Sequence, residues 1–70
     1  MKDYIDRLKE LREDRDIKQK EIATLLGINQ NTYSQYETKK RKMPIEEFRK
    51  LCIFYRVSAD ELLGLTNIPT

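Results

Sequence analysis

The stretch from Gln19 to Glu37 constrains the fold of this chain more than any other segment. Apolar side chains recur at helical spacing on both sides of Gly27. Gly27 suits the left-handed conformation that commonly ends a helix, and Asn29 suits the N-cap of the next one. The stretch therefore predicts two short helices joined by a tight turn, with their apolar faces on a common core.

Helical spacing continues along the whole chain, and no segment alternates with the period of a strand. Asp3 is a plausible N-cap for the first helix, and Ser58 and Glu61 have the spacing of a capping box. Five helices are predicted: about Tyr4–Asp14, Gln19–Leu26 and Gln30–Glu37, a fourth opened by Pro44, and about Ala59–Leu63 before Gly64. The fourth has an apolar stripe of Ile45, Phe48, Leu51, Cys52 and Tyr55. The predicted fold class is all-α, with one domain over residues 1–64 and a tail over residues 65–70.

Composition argues against several classes of function. The 70 residues include one cysteine and no histidine, so neither a disulfide framework nor a zinc site is expected, and no cofactor is implied. Cys52 lies in an apolar segment, which favours a buried inert thiol over a nucleophile. An enzyme is not expected, because catalytic side chains and room for a large pocket are lacking. The charged N-terminus and the lack of a long apolar run predict a cytoplasmic protein without a membrane segment.

The net charge of +2 is unevenly distributed. Residues 17–45 carry six basic and two acidic side chains, and 6 − 2 gives +4, whereas the segments on either side each sum to −1. The excess positive charge therefore falls on the two short helices and the basic run 39–42 that follows them. A polyanionic partner is the natural interpretation, and a solvated surface loop is the alternative.

The third predicted helix carries an uncharged, hydrogen-bonding face. Amide side chains offer a donor and an acceptor together and can pair with adenine in the major groove of DNA. Thr32 and Ser34 could bond to bases or phosphates. An ordinary exposed helix face is the alternative, but such faces are usually charged. The candidate base-reading residues are Gln30, Asn31, Thr32, Ser34 and Gln35.

Residues 8–63 resemble the Cro/C1-type (XRE) helix-turn-helix family of phage repressors and bacterial regulators, which has a compact five-helix, lambda-repressor-like fold. The resemblance rests on the ordered set Arg-Leu-Lys-Glu-Leu-Arg at 7–12, Gln19 with Glu21-Ile22-Ala23, Leu26-Gly27-Ile28, Tyr33 with Tyr36-Glu37, and the segment 57–64. It implies base reading by the third helix and an ion pair between Arg12 and Glu37. It also implies phosphate contacts from Gln19, Lys40, Arg41 and Lys42, and a role for Gln19 in orienting the start of the third helix.

Three positions depart from the family pattern. Lys18 stands where the family often has a Thr or Ser N-cap, although its side chain could itself reach a phosphate. Lys39 replaces the usual glycine after the third helix, so it must either accept a positive φ or end the helix differently. Tyr33 replaces an aliphatic residue, so its hydroxyl needs a partner or an exposed edge.

The resemblance implies a sequence-specific regulator of transcription, a repressor, that binds double-stranded DNA at a palindromic operator as a homodimer. The alternative is a protein-interaction module of the same fold, such as an antitoxin or anti-repressor component. A dimer surface in this family often uses the fifth helix and the segment after it. Here that suggests Leu62, Leu65 and Ile68, with Phe54 and Tyr55 as additions. The alternative is that Leu62 and Leu63 are both core residues and the tail is disordered.

Overall fold

The computed structural model describes residues 2–64 and contains five α-helices in that part of the chain. They are α1 (Tyr4–Asp14), α2 (Gln19–Leu26), α3 (Gln30–Glu37), α4 (Ile45–Tyr55) and α5 (Ala59–Leu63). The described part contains no strand, and the all-α prediction is confirmed. None of these helices has the length and apolar character needed to cross a bilayer. The predicted tail at residues 65–70 lies outside the described residues.

Side-chain caps fix where the helices begin. Asp3 and Asp6 form a reciprocal capping box at the start of α1, with N–O distances of 3.0 and 3.2 Å. Ser58 accepts a hydrogen bond from the Glu61 backbone N–H at 3.1 Å at the start of α5. The second bond of a capping box, from the Ser58 backbone N–H to the Glu61 carboxylate, is not formed among the described residues. The predicted box is therefore half complete. Lys18, which has no acceptor on its side chain, offers α2 no such cap.

The helices pack around one apolar core. Its largest fully buried side chains are Tyr33, Tyr55, Leu8, Ile22 and Leu51. α3 packs most extensively against α2 and also contacts α1, while α1 contacts α5. Tyr4 and Phe48 meet edge to face with ring centroids 5.3 Å apart, joining α1 to α4. The arrangement buries one face of α3 and leaves the other at the surface.

Two parts of the predicted apolar pattern are wrong. Ile45 was expected in the buried stripe of α4 but is 74% exposed, because it is the first residue of the helix, after the N-cap Pro44, and the core begins at Phe48. Leu62 and Tyr55 were suggested for a dimer surface but are buried in the core. Their burial agrees with the alternative for Leu62 and with the place of Tyr55 in the apolar stripe of α4, whereas Leu63 is 47% exposed. Phe54 is 41% exposed and remains available for such a surface. Leu65 and Ile68 lie outside the described residues.

Two arginines on or after α1 close the C-terminal ends of distant helices. Arg7 Nη1 donates to the carbonyl oxygens of Glu61 and Leu62 at 2.9 and 3.1 Å. Arg15 Nη2 donates to the carbonyl oxygen of Tyr55 at 3.0 Å, and its guanidinium carbon lies 5.2 Å from the centroid of that ring. Both arginines donate to carbonyls in the last turn of a helix, where intrahelical partners are few and cations are favoured. The Glu61 carbonyl also accepts from the Gly64 backbone N–H at 3.2 Å.

Gly27 sets the turn between α2 and α3. Its φ of 73° lies in the left-handed region, and its N–H donates to the Thr24 carbonyl oxygen at 3.1 Å. A Cβ at this position would meet no atom within 4 Å, so a side chain there is opposed by backbone conformation alone.

We therefore expect Gly27→Ala to lower the free energy of unfolding by about 1 kcal/mol. The left-handed conformation costs an L-residue roughly 1–2 kcal/mol, partly offset by the lower entropy of the unfolded alanine chain. Urea unfolding monitored by circular dichroism would measure the change. A synthetic chain with D-alanine at position 27 is the matched control and should be no less stable than the natural chain. Equal losses for both alanines would show that space, not conformation, limits the site.

Candidate nucleic-acid interface

The carboxylate of Glu37, at the end of α3, is the centre of a buried polar network. Arg12 Nε donates to Glu37 Oε2 at 2.7 Å, and Arg12 Nη2 donates to Oε1 at 3.1 Å. The side chains of Arg12 and Glu37 are only 12% and 4% exposed. Gln19 Nε2, from the first residue of α2, donates to the same Oε1 at 2.8 Å. One carboxylate therefore connects α1, α2 and α3.

Tyr33 completes this network from within α3. The residue is 1% exposed, and its hydroxyl lies beside the Glu37 carboxylate. This carboxylate is the polar neighbour that a tyrosine in place of an aliphatic residue needs. Burial and the neighbouring carboxylate both raise the pKa of Tyr33, so the hydroxyl remains a donor. Burial alone would raise the pKa of Glu37, but hydrogen bonds from Arg12, Tyr33 and Gln19 outweigh it and lower that pKa. The Glu37 carboxylate is therefore ionised at neutral pH.

The outer face of α3 carries the five predicted base-reading residues. Gln30 and Asn31, in the first turn, are exposed, and the others are half-buried: Thr32, Ser34 and Gln35. The Asn29 side chain accepts from the Thr32 backbone N–H at 2.7 Å and holds that turn in place. Within residues 2–64 none of the five side chains donates or accepts a hydrogen bond. Their polar groups are thus available to an external partner.

Gln19 and Lys18 stand at the other end of the helix pair. The side-chain nitrogen of Gln19 donates to Glu37, so a phosphate contact at this position would use a backbone N–H at the start of α2. The resemblance implied that Gln19 helps orient the start of α3, whereas its side-chain nitrogen bonds to Glu37 at the end of that helix. Lys18 is exposed, and its ammonium forms no ion pair among the described residues.

The chain leaves α3 through a left-handed residue, Lys39, with a φ of 64°. The Lys39 N–H donates to the Tyr36 carbonyl at 3.1 Å and the Lys40 N–H to the Gln35 carbonyl at 2.9 Å, which together form a Schellman motif. Lys39 thus ends the helix as the family's glycine would. The three cations that follow are exposed and unpaired within the described range: Lys40, Arg41 and Lys42.

Nothing in the described residues resembles a catalytic or metal centre. Cys52 is 9% exposed, and burial raises the pKa of its thiol, which disfavours the nucleophilic thiolate. No cluster of metal-ligating side chains is found between residues 2 and 64. The surface of α3 and the loop after it are therefore the strongest candidate for a functional site.

Comparison with known families agrees with this geometry. A family model described as helix-turn-helix matches residues 8–62. The chain belongs to this Cro/C1-type helix-turn-helix family, and the resemblance inferred from the sequence is confirmed. No solved structure gave a significant match.

Curated relatives carry the names of transcriptional regulators. The chain is 35% identical over 66 residues to the uncharacterised HTH-type transcriptional regulator YobD of Bacillus subtilis (strain 168), a match that covers 94% of this chain and 59% of that protein. It is 35% identical to the cryptic phage CTXphi transcriptional repressor RstR of Vibrio cholerae, over 87% of this chain and 55% of RstR. It is 43% identical to the HTH-type transcriptional regulator ImmR of B. subtilis, over 89% of this chain and 49% of ImmR. The chain thus spans about half the length of these relatives.

The network around Glu37 predicts a specific loss of stability and of its pH dependence. Glu37→Gln leaves Arg12 charged and largely buried, so we expect the free energy of unfolding at pH 7 to fall by about 3 kcal/mol. The folded-state pKa of Glu37 lies below the ordinary value of 4.5, so its contribution is complete above that pH and is lost as the pH falls further. The difference between the two chains should therefore shrink below about pH 4.5 in urea titrations. A difference independent of pH would show that shape rather than charge matters.

The two most buried tyrosines allow a matched test of hydrogen bonding. The Tyr33 hydroxyl lies beside the ionised Glu37 carboxylate, whereas the buried Tyr55 hydroxyl has no partner among the described residues. We expect Tyr33→Phe to destabilise the fold by about 2 kcal/mol, since it removes a hydrogen bond to a charged group. Tyr55→Phe should be neutral or slightly stabilising, because an unsatisfied buried hydroxyl is costly. Thermal unfolding of the two variants side by side measures both, and equal losses would contradict the assignment.

Proposed function

We propose that this chain is a sequence-specific DNA-binding regulator of transcription, acting as a repressor in the cytoplasm. In this proposal α3 enters the major groove, where Gln30 and Asn31 at its N-terminal end reach base edges first. Gln35 lies one turn further along, with Thr32 and Ser34 beside it. Lys18, the start of α2 and the cations Lys40, Arg41 and Lys42 bind the phosphates on either side.

The single observation that carries the proposal is the chemistry of the outer face of α3. The charged residue of this helix, Glu37, is buried in the network with Arg12, while the five polar side chains on the other face have no partner within residues 2–64. A face of free amides and hydroxyls bordered by unpaired cations fits base edges flanked by phosphates. The names of the relatives agree with such a role.

The network around Glu37 supports the proposal mechanically. A recognition helix must be held rigidly, because a small displacement separates amide groups from their base partners. Arg12 and Gln19 hold the end of α3 from two other helices. Because the bonding atoms lie on the inner side of α3, they stiffen the helix without using any group on its outer face.

A homodimer on a palindromic operator follows from the small reach of one helix. Two half-sites would lie about 34 Å apart, so that both copies of α3 face the same side of the duplex. Selection of bound sites from a random DNA pool tests function and symmetry together. A palindrome with fixed spacing supports the dimer, and a single short site contradicts it. Failure to enrich any sequence would favour the alternative, a protein-interaction module such as an antitoxin or anti-repressor component.

Base-reading and phosphate-binding residues should respond differently to substitution. We expect Asn31→Ala or Gln35→Ala to reduce preference for the selected site over random DNA by about 1–3 kcal/mol. Arg41→Gln should weaken binding to both DNAs alike and reduce the slope of log K against log salt by about 0.9. Fluorescence anisotropy at several salt concentrations separates the two effects.

Lys50→Gln is the matched control for loss of a surface cation. Lys50 is exposed on α4, which the proposal places outside the DNA contact, so this variant should keep both the site preference and the salt slope. If Lys50→Gln and Arg41→Gln reduced the slope of log K against log salt equally, net charge and not a defined surface would govern binding.

A further inference from the structure

Lys39 differs from the three cations that follow it in the basic run. Its Nζ lies 3.1 Å from Asp3 Oδ2 and 3.1 Å from Asp6 Oδ2. Lys40, Arg41 and Lys42 form no ion pair in the part of the chain that the structure describes. The run therefore contains one cation that is already neutralised and three that are not.

The two carboxylates that hold Lys39 are brought together by the fold itself. Asp3 is the N-cap of α1, and Asp6 is its partner in the capping box. Asp6 Oδ2 accepts from the Asp3 backbone N–H at 3.2 Å and also from Lys39 Nζ. Two negative charges are thus placed side by side, and Lys39 offsets their repulsion. The hydrogen bond from the Asp3 backbone and the one from Lys39 lower the pKa of Asp6. The hydrogen bonds to Asp6 and Asp3 raise the pKa of Lys39.

The backbone of Lys39 is fixed independently of its side chain. The Schellman motif at the end of α3 requires the left-handed conformation, which a lysine adopts less readily than a glycine. From this position the ammonium reaches α1. Lys39 is therefore the point at which the last turn of α3 and the first turn of α1 are joined through charge.

We propose that Asp3 and Asp6 withhold Lys39 from DNA, so that the basic run supplies three phosphate contacts and not four. This inference rests on the proposed function. Moving the ammonium onto a phosphate would leave two uncompensated carboxylates beside a polyanion, so the exchange is opposed even though the ion pair is accessible to solvent. Lys39 acts as a positioning residue for the loop, and the acidic pair sets how strongly that loop attracts DNA.

Four chains test the inference: the natural chain, Asp3→Asn/Asp6→Asn, Lys39→Met and the triple variant. Asparagine retains the N-cap at position 3 and an acceptor at position 6, so the start of α1 is preserved. The slope of log K against log salt is measured on a random-sequence duplex, because each phosphate contact contributes about 0.9 to it. Thermal melting of each chain confirms folding.

We expect Lys39→Met to leave the slope of the natural chain unchanged. The double asparagine variant should bind more tightly, with a slope steeper by about 0.9, because Lys39 is released to a phosphate. In the triple variant the slope should return to that of the natural chain. Lys39 would thus contribute to the slope only when the acidic pair is absent.

Two outcomes overturn the inference while leaving the proposed function intact. A slope reduced by about 0.9 in Lys39→Met would show that Lys39 already contacts a phosphate in the natural chain. An equally steep slope with and without Lys39, once the aspartates are replaced, would show that they act by repelling DNA directly. No salt-dependent binding by any of the four folded chains would instead overturn the proposed function, and this inference with it.

Discussion

The buried carboxylate of Glu37 is the constraint on which the rest of the domain depends. A charge removed from water is tolerated only when it is paired and hydrogen-bonded, and here the donors come from three helices. Arg12 supplies two bonds from α1 and Gln19 one from the start of α2, while the Tyr33 hydroxyl lies beside the carboxylate from within α3. Helices of eight residues have little stability of their own, so these bonds and the core beneath them set the orientation of α2 and α3.

The same helical period separates the two tasks of α3. Tyr33, Tyr36 and Glu37 fall on the inner side and are buried, which leaves positions 30, 31, 32, 34 and 35 for the outside. Because the polar demands of the inner side are met internally, the outer amides need not contribute to folding. They can therefore be chosen for a partner alone. That separation is the physical reason why a helix so short can be both anchored and selective.

Sequence reasoning predicted the elements well where the signals are local. The bounds of α1, α2, α3 and α5 follow from helical spacing, from caps such as Asn29 and from the glycines after α2 and α5, and all were confirmed. It failed where partners are remote. Arg7 and Arg15 bond to carbonyls 54 to 55 and 40 residues away, and nothing near them in the sequence indicates this. The burial of Ile45 was wrongly predicted because helical spacing identifies the face of a helix that packs on the core but not where along the helix that contact begins.

For the candidate site, the sequence identified which side chains share the outer face but not how each is engaged. The residues assigned to base and phosphate contacts remain predictions, whereas the structure shows that Gln19 is partly committed to Glu37. Lys39 illustrates the same limit. A glycine would close α3 by the same backbone path without strain, so the path alone does not explain a lysine. What the lysine adds is a charge placed between Asp3 and Asp6, two carboxylates that the capping box of α1 brings beside the proposed DNA surface. The capping box of α1 thereby places two like charges beside the end of α3, and the ammonium of Lys39, the residue that ends α3, offsets their repulsion.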